Sequence, residues 1–247
     1  MKRFEIRSAL GGGAIATRWE SLTARKTAFT LAEVLITLGI IGVVAAMTLP
    51  TLIQQHQKQV YVTQLQKAVN TWDNMMRKMQ ADDGVTELKD TELFSKAICS
   101  DYDCEWFNNT DYNYVNYTAL EEIIVKYLKT AKICKQGECT NEYKNDQTYK
   151  IKTANTINNS VCGYNSNFFP AKFIGFYSVD GTIYYLGTAG FSALQVTIDV
   201  NGDKKPNTIG RDLFTFYLYN YDNNYKGLSP ADSCTESVMT NGWKMDY

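Results

Sequence analysis

The sequence predicts an α+β protein in which a long N-terminal helix packs on an antiparallel β-sheet. A run of twenty uncharged residues, 34–53, is long enough to span a membrane as a helix. A stripe of apolar residues at helical spacing follows this run directly. Several strand-like segments occupy the last third of the chain, and two of them flank Asp180-Gly181, a strong hairpin signal.

The charges at the N-terminus predict which side of the membrane the chain occupies. The first 28 residues carry six Lys or Arg residues against two Glu residues, whereas the whole chain has a net charge of −1. Because basic flanks stay in the cytoplasm, Arg25 and Lys26 predict that the acidic C-terminal region is exported. A cleaved secretory signal peptide is the alternative, but the apolar run exceeds the usual core of about 7–15 residues. The acidic balance gives no support for nucleic-acid binding.

The apolar stripe predicts that the helix continues to about residue 80. The stripe consists of Val60, Leu65, Val69, Trp72, Met76 and Met79. We expect the sheet to cover this face, including Leu65, Val69 and Trp72. Pro50 lies inside the helix and is predicted to bend or open it, because proline removes a backbone hydrogen bond. The polar stretch 81–84 predicts the end of the helix.

Glu33 places a carboxylate near the start of the apolar run. Because a charge at membrane depth costs free energy, such a residue is expected to have a function. The surrounding residues are Ala28-Phe29-Thr30-Leu31-Ala32-Glu33-Val34-Leu35-Ile36. They resemble the class III signal of type IV pilins and type II secretion pseudopilins. The resemblance implies that a prepilin peptidase cuts between Ala28 and Phe29 and methylates the new amine of Phe29. Ala28 stands where the family usually has glycine.

The resemblance also implies three regions and a pilin-like fold. Residues 1–28 are the leader peptide, residues 29–80 are the N-terminal helix with its membrane span at 34–53, and residues 81–247 are the exported, disulfide-bonded domain. Glu33 and Pro50 become assembly residues. The Phe29 amine of one subunit is expected to pair with Glu33 of the next, whereas a lone subunit leaves Glu33 poorly satisfied.

The function implied is that of a structural subunit of a type IV pilus or a type II secretion filament. The implied partners are the prepilin peptidase, other subunits, an assembly platform protein with its ATPase, and the membrane. The subunit is expected in the bacterial inner membrane with its C-terminal domain outside the cytoplasm, and then in a periplasmic or cell-surface filament. The alternative is a single-pass anchored binding domain or adhesin that does not polymerise.

All six cysteines follow the apolar run, and this placement predicts three disulfides in an oxidising compartment. They are Cys99, Cys104, Cys134, Cys139, Cys162 and Cys234. Several pairings remain open. We expect two local loops, 99 with 104 and 134 with 139, and one long closure from 162 to 234. A zinc site is the rival interpretation, but the chain lacks paired CxxC motifs and its one histidine, His56, lies near the membrane.

The exported region is predicted to contain one short helix and four strands. The helix is expected at 118–129, where apolar residues share one face. The strands are expected at 173–179, 182–186, 194–200 and 213–219. A type I′ turn at Asp180-Gly181 is expected to join the first two, since that turn requires positive φ at its centre.

The loop after the third predicted strand is the best candidate for bound chemistry. Asp199, Asn201 and Asp203 alternate oxygen ligands as a calcium loop does, and Asp212 can complete the shell. The loop is not an EF-hand, because its sixth and twelfth positions lack the required Gly and Glu. Major pseudopilins have a calcium-stabilised loop near their C-terminal end, so the resemblance makes Ca²⁺ the possible cofactor. The residues alone favour a loop capped by Asx turns.

Catalysis has little support in the sequence. The chain has no G-x-S-x-G or H-E-x-x-H motif and no phosphate-binding glycine loop, and His56 has no candidate triad. We therefore predict that the protein is not an enzyme.

Overall fold

A computed structural model describes residues 29–98, 115–134, 152–153, 162, 173–188, 193–202, 204, 208–219 and 226–246. Within these ranges the α-helices are α1 (Leu31–Asp83), α2 (Tyr117–Tyr127) and α3 (Ser233–Thr240). A 3₁₀ turn (Leu88–Asp90) and a π-helical turn (Leu93–Ala97) follow α1. The chain divides into two compact units, Met1–Leu49 and Pro50–Tyr247, which are described separately below.

The described residues of the second unit form an eight-stranded sheet. Its strands are β1 (Thr130–Cys134), β2 (Lys152–Thr153), β3 (Phe173–Ser178), β4 (Ile183–Thr188), β5 (Ala193–Asp199), β6 (Thr208–Ile209), β7 (Leu213–Tyr219) and β8 (Ser229–Pro230). The order is β1-β3-β4-β5-β7-β6-β2, and β8 pairs with β7. The four predicted strands are therefore neighbours in one antiparallel series.

The expectation of a purely antiparallel sheet is wrong at one edge. The two-residue strand β6 pairs in parallel with both β2 and β7, so the sheet is mixed. Both β2 and β6 are too short for the period-two alternation that identifies a strand in a sequence. The protein is thus α+β, with a long N-terminal apolar helix and a mainly antiparallel, mixed sheet.

The β3–β4 hairpin forms where it was predicted, but its turn is not of type I′. Of the two central residues only Gly181 has a positive φ, of 90°. The turn extends over residues 179–182, and the Ser178 amide donates to the Thr182 carbonyl at 2.8 Å. The Asp180 carboxylate accepts from the Thr182 amide at 3.2 Å. A four-residue connection needs only one residue in the left-handed region, which explains why Asp180 does not adopt it.

The second part of α1 packs on this sheet as expected. Leu65 and Trp72 have no exposed surface and Val69 is 4% exposed. All three belong to one core cluster with side chains from β3, β4, β5 and β7. The Tyr184 hydroxyl donates to the Ala68 carbonyl at 3.2 Å, which fixes β4 against the helix. The sheet therefore covers the face that the apolar stripe identified.

The two short helices differ in how well the sequence anticipated them. Helix α2 lies within two residues of its predicted bounds and begins at Asn116, whose side chain accepts from the Ala119 amide. Helix α3 was not predicted. Its N-cap, Asp232, accepts hydrogen bonds from both the amide and the hydroxyl of Thr235, at 2.8 and 2.7 Å. This cap satisfies donors that the first helical turn leaves unpaired.

A disulfide joins Cys162 to Cys234 across 72 positions of sequence, with the Cα atoms 5.1 Å apart. This is the long closure expected from the sequence. Cys134 is also disulfide-bonded. Cys99, Cys104 and Cys139 lie outside the described residues, so the two local pairings stay predictions.

Candidate functional site

The first candidate site is the apolar surface of α1 before Pro50. This helix is long and apolar enough to cross a membrane, with a mean hydropathy of 2.2 in its most apolar window and none of that window buried. Leu31 is 78% exposed and Met47 is 73% exposed. A single candidate membrane span is therefore present, and its apolar side chains find no cover within the described chain.

Glu33 lies at the N-terminal edge of this surface, within a capping box. The amide and the hydroxyl of Thr30 both donate to the Glu33 carboxylate, at 2.8 and 2.9 Å. In return, the Glu33 amide donates to the Thr30 hydroxyl at 3.2 Å. Thr30 is thus the N-cap of α1 and Glu33 is the third helical residue, the arrangement of a capping box.

The capping box corrects one expectation. A lone chain was expected to leave Glu33 poorly satisfied, yet its carboxylate accepts two hydrogen bonds from Thr30 and lies at the helix N-terminus, where the helix dipole favours negative charge. The signal was present in the sequence as Thr-x-x-Glu before an apolar run, and it was missed. Phe29 is 83% exposed beside this box, and Ala28 lies outside the described residues.

Pro50 is an interior residue of α1, which is helical on both sides of it. The expected local opening of the helix is therefore not seen. The assembly role given to Pro50 stays a prediction.

The second candidate site is the loop between β5 and β7. The Asp199 carboxylate accepts from the Asn201 amide at 3.2 Å, the hydrogen bond of an Asx turn. The Asn201 side-chain nitrogen donates to the Asp212 carboxylate at 3.0 Å, and the Thr208 amide donates to the other oxygen of Asp212. Three of the four predicted ligands are thus neighbours, whereas Asp203 lies outside the described residues.

These hydrogen bonds are those of a loop capped by Asx turns, which is the interpretation that the residues alone favour. Asp199 and Asp212 are fully buried, and protein donors contact both carboxylates. Among the described residues no group of three or more His, Cys, Asp or Glu residues is arranged to hold a metal ion. Calcium binding through Asp199, Asn201, Asp203 and Asp212 stays a prediction.

Comparison with known proteins finds no matching family model, no similar curated protein and no similar solved structure. The apolar segment with Glu33 combines an uncovered surface and an ionisable group at its edge. The loop of Asp199 and Asp212 is held by hydrogen bonds among its own residues.

Proposed function

We propose that the protein is a structural filament subunit, a pilin or pseudopilin, and not an enzyme. Prepilin peptidase cuts it between Ala28 and Phe29, the span 34–53 holds it in the inner membrane, and assembly packs the N-terminal helices of many copies together. The observation that carries this proposal is an exposed apolar helix with Glu33 at its edge, next to Phe29. Lipid before assembly and neighbouring helices after it would remove that surface from water.

The carboxylate distinguishes a filament subunit from a plain anchor. A plain membrane anchor has no use for the charge of Glu33, because glutamine forms the same capping box without a charge. A charged residue at membrane depth costs at least a few kcal/mol on insertion scales. In a filament this cost is offset when the Phe29 amine of one subunit pairs with Glu33 of the next. Filament assembly therefore requires the negative charge of Glu33, not its role in the capping box.

Two variants separate the charge from the cap. Glu33→Gln keeps the capping box and removes the charge, while Thr30→Ala keeps the charge and removes the N-cap side chain. We expect Glu33→Gln to insert into the membrane normally and to lower the filament yield by about tenfold or more, as loss of an ion partner in a low-dielectric site predicts. Thr30→Ala should assemble nearly as well as the parent chain. Sheared filaments and the membrane fraction are quantified by immunoblot.

A mild effect of Glu33→Gln together with a severe effect of Thr30→Ala would show that Glu33 acts only as a cap. Processing is tested independently by mass spectrometry of the membrane-extracted protein. The proposal expects an N-terminus at methylated Phe29. A chain that keeps residues 1–28 would refute it.

The capping box also favours a second candidate, an anchored binding domain or adhesin that does not polymerise. Thr30 satisfies the Glu33 carboxylate within one chain, so this residue needs no neighbour for stability. This candidate predicts that the protein stays in the membrane fraction as separate copies. It also predicts equal behaviour of Glu33→Gln and the parent chain.

A further inference from the structure

A basic groove lies between α1, the end of α2 and the β3–β4 turn. We call it the lysine groove. It encloses about 410 Å³ and is lined by Lys67, Met75, Lys78, Leu128, Lys129 and Val179, among other residues. Met75 and Leu128 are each 3% exposed and form an apolar floor, while Val179 is 67% exposed at its edge. The groove is therefore an apolar trough with lysines along its rim.

The rim has more positive charge than its own surroundings neutralise. The Lys67 ammonium pairs with the Asp180 carboxylate at 2.8 Å. Lys78 and Lys129 form no ion pair with any described residue, and the Lys78 ammonium lies 5.8 Å from the centre of the Tyr127 ring. Lys126 contacts the same ring at 5.0 Å, but its charge is paired with the Glu92 carboxylate at 3.3 Å. Cation–π contacts hold the ammonium groups in place without cancelling their charge.

Opposite charge lies in the last turn of the same helix and in the 3₁₀ turn after it. Asp82, in the last turn of α1, and Asp90, in the 3₁₀ turn that follows, are exposed and make no ion pair within the described part of the chain. Lys78 and Asp82 are four residues apart, yet they do not pair. Lysine before the acid is the weaker order for such a pair in a helix. We call Asp82 and Asp90 together the acidic end of α1. Each copy thus presents both this acidic end and the lysine groove.

We infer that the lysine groove of one copy binds the acidic end of α1 in the next copy. This inference rests on the proposed filament. Asp82 lies seven residues beyond Met75, which is about 10 Å along a helix that rises 1.5 Å per residue. Two parallel copies that are offset by about this distance bring Asp82 of one copy level with Met75 of the other, beside Lys78, and we expect Asp90 to approach Lys129. A contact between different surfaces of identical chains stays open when each copy is also shifted along the helix axis, so this contact repeats along a filament.

The contact can be tested by carbodiimide coupling, which joins a carboxylate and a lysine amine as an amide. Two full-length forms are expressed together. One carries Lys78→Arg and Lys129→Arg and keeps its acids, while the other carries Asp82→Asn and Asp90→Asn and keeps its lysines. A bond between either lysine and either aspartate then forms only between copies. We expect mass spectrometry of treated filaments to detect this bond.

A charge reversal gives a second measurement. Lys129→Glu should lower the filament yield about fivefold, which corresponds to about 1 kcal/mol, the upper range for an exposed ion pair. Adding Asp82→Lys to the same chain should restore part of the yield, because the reversed groove then meets a reversed acidic end. Lys244→Glu is the matched control, since Lys244 is an exposed lysine outside the groove, and it should leave the yield unchanged.

Filaments that form without the lysine–aspartate bond would overturn the inference and leave the filament proposal standing. Coupling of the groove lysines only to another protein would also overturn it. If the parent chain, cut before Phe29, forms no filaments, both the proposed function and this contact are wrong.

Discussion

Gly210 shows how one residue without a side chain can set the geometry of a loop. Its φ is +77°, and an added Cβ would lie 2.6 Å from Cys234 Cβ and 3.0 Å from each sulfur of the disulfide. Glycine is the residue that adopts this backbone conformation without strain. Gly210 thereby lets the Thr208–Asp212 turn, which holds the Asp212 carboxylate, pack directly on the disulfide.

We predict that Gly210→Ala destabilises the second unit more than Gly84→Ala does. Both positions have positive φ, so both substitutions introduce strain of about 1–3 kcal/mol. Only Gly210 has atoms within 4 Å of the added Cβ, whereas Gly84 has none. Overpacking should therefore add about 1 kcal/mol or more at Gly210. Urea unfolding of the full chain, followed by tryptophan fluorescence, measures the difference, and equal losses would contradict it.

Helix α1 combines two surface chemistries in one element of secondary structure. From Leu31 to Ile53 its large apolar side chains are exposed. From Val62 to Met79 one face is buried in the core of the second unit, while polar residues such as Gln66 stay exposed. Hydrophobic periodicity predicts both parts, because a segment that is apolar on all sides requires lipid or other helices, whereas a stripe requires one packed face.

We predict that Leu65→Ala destabilises the second unit by about 2–5 kcal/mol, the usual cost of a cavity at a fully buried leucine. Leu65 has no exposed surface. Gln66→Ala, at the adjacent exposed position, should change stability by no more than about 0.5 kcal/mol. Chemical unfolding of both variants gives the comparison. A small effect of Leu65→Ala would mean that the helix does not pack on the sheet in solution.

At the scale of the whole molecule, the Cys162–Cys234 disulfide connects segments that are distant in sequence. It links a residue before β3 to the first turn of α3, and the Ser233 amide donates to the Cys162 carbonyl at 3.3 Å. The Ala231 amide donates to the Thr215 carbonyl at 2.9 Å, which ties the same region to β7. The C-terminal helix is thus held to the sheet by both covalent and backbone contacts.

We predict that the double variant Cys162→Ser, Cys234→Ser lowers the free energy of unfolding by about 2–5 kcal/mol. A long closed loop restricts the unfolded chain strongly, so its removal favours unfolding. Ser233→Ala, beside the bridge and exposed, is the control and should have little effect. Equal stability of the oxidised parent chain and the double variant would show that other contacts alone hold α3.

The elements that could be predicted from the sequence are those whose own residues show a regular apolar spacing. The positions of α1, α2 and four strands follow from apolar spacing to within three residues, and the core positions Leu65, Val69 and Trp72 follow from the stripe. Helix α3 was missed although Asp232 is a good N-cap residue, because a short helix has few periodic positions. The two-residue strands β2 and β6 have no detectable period.

The sequence by itself determined the candidate membrane span, the amphipathic continuation of α1 and the position of Glu33, because these depend on residues that are close in the chain. Only the tertiary structure decided the parallel pairing of β6, the loop geometry around Asp212 and the lysine groove. The groove brings together Lys67, Lys129 and Asp180, which are far apart in sequence. The spacing of apolar residues shows which face of a segment is apolar, but it does not show which distant segment packs against that face.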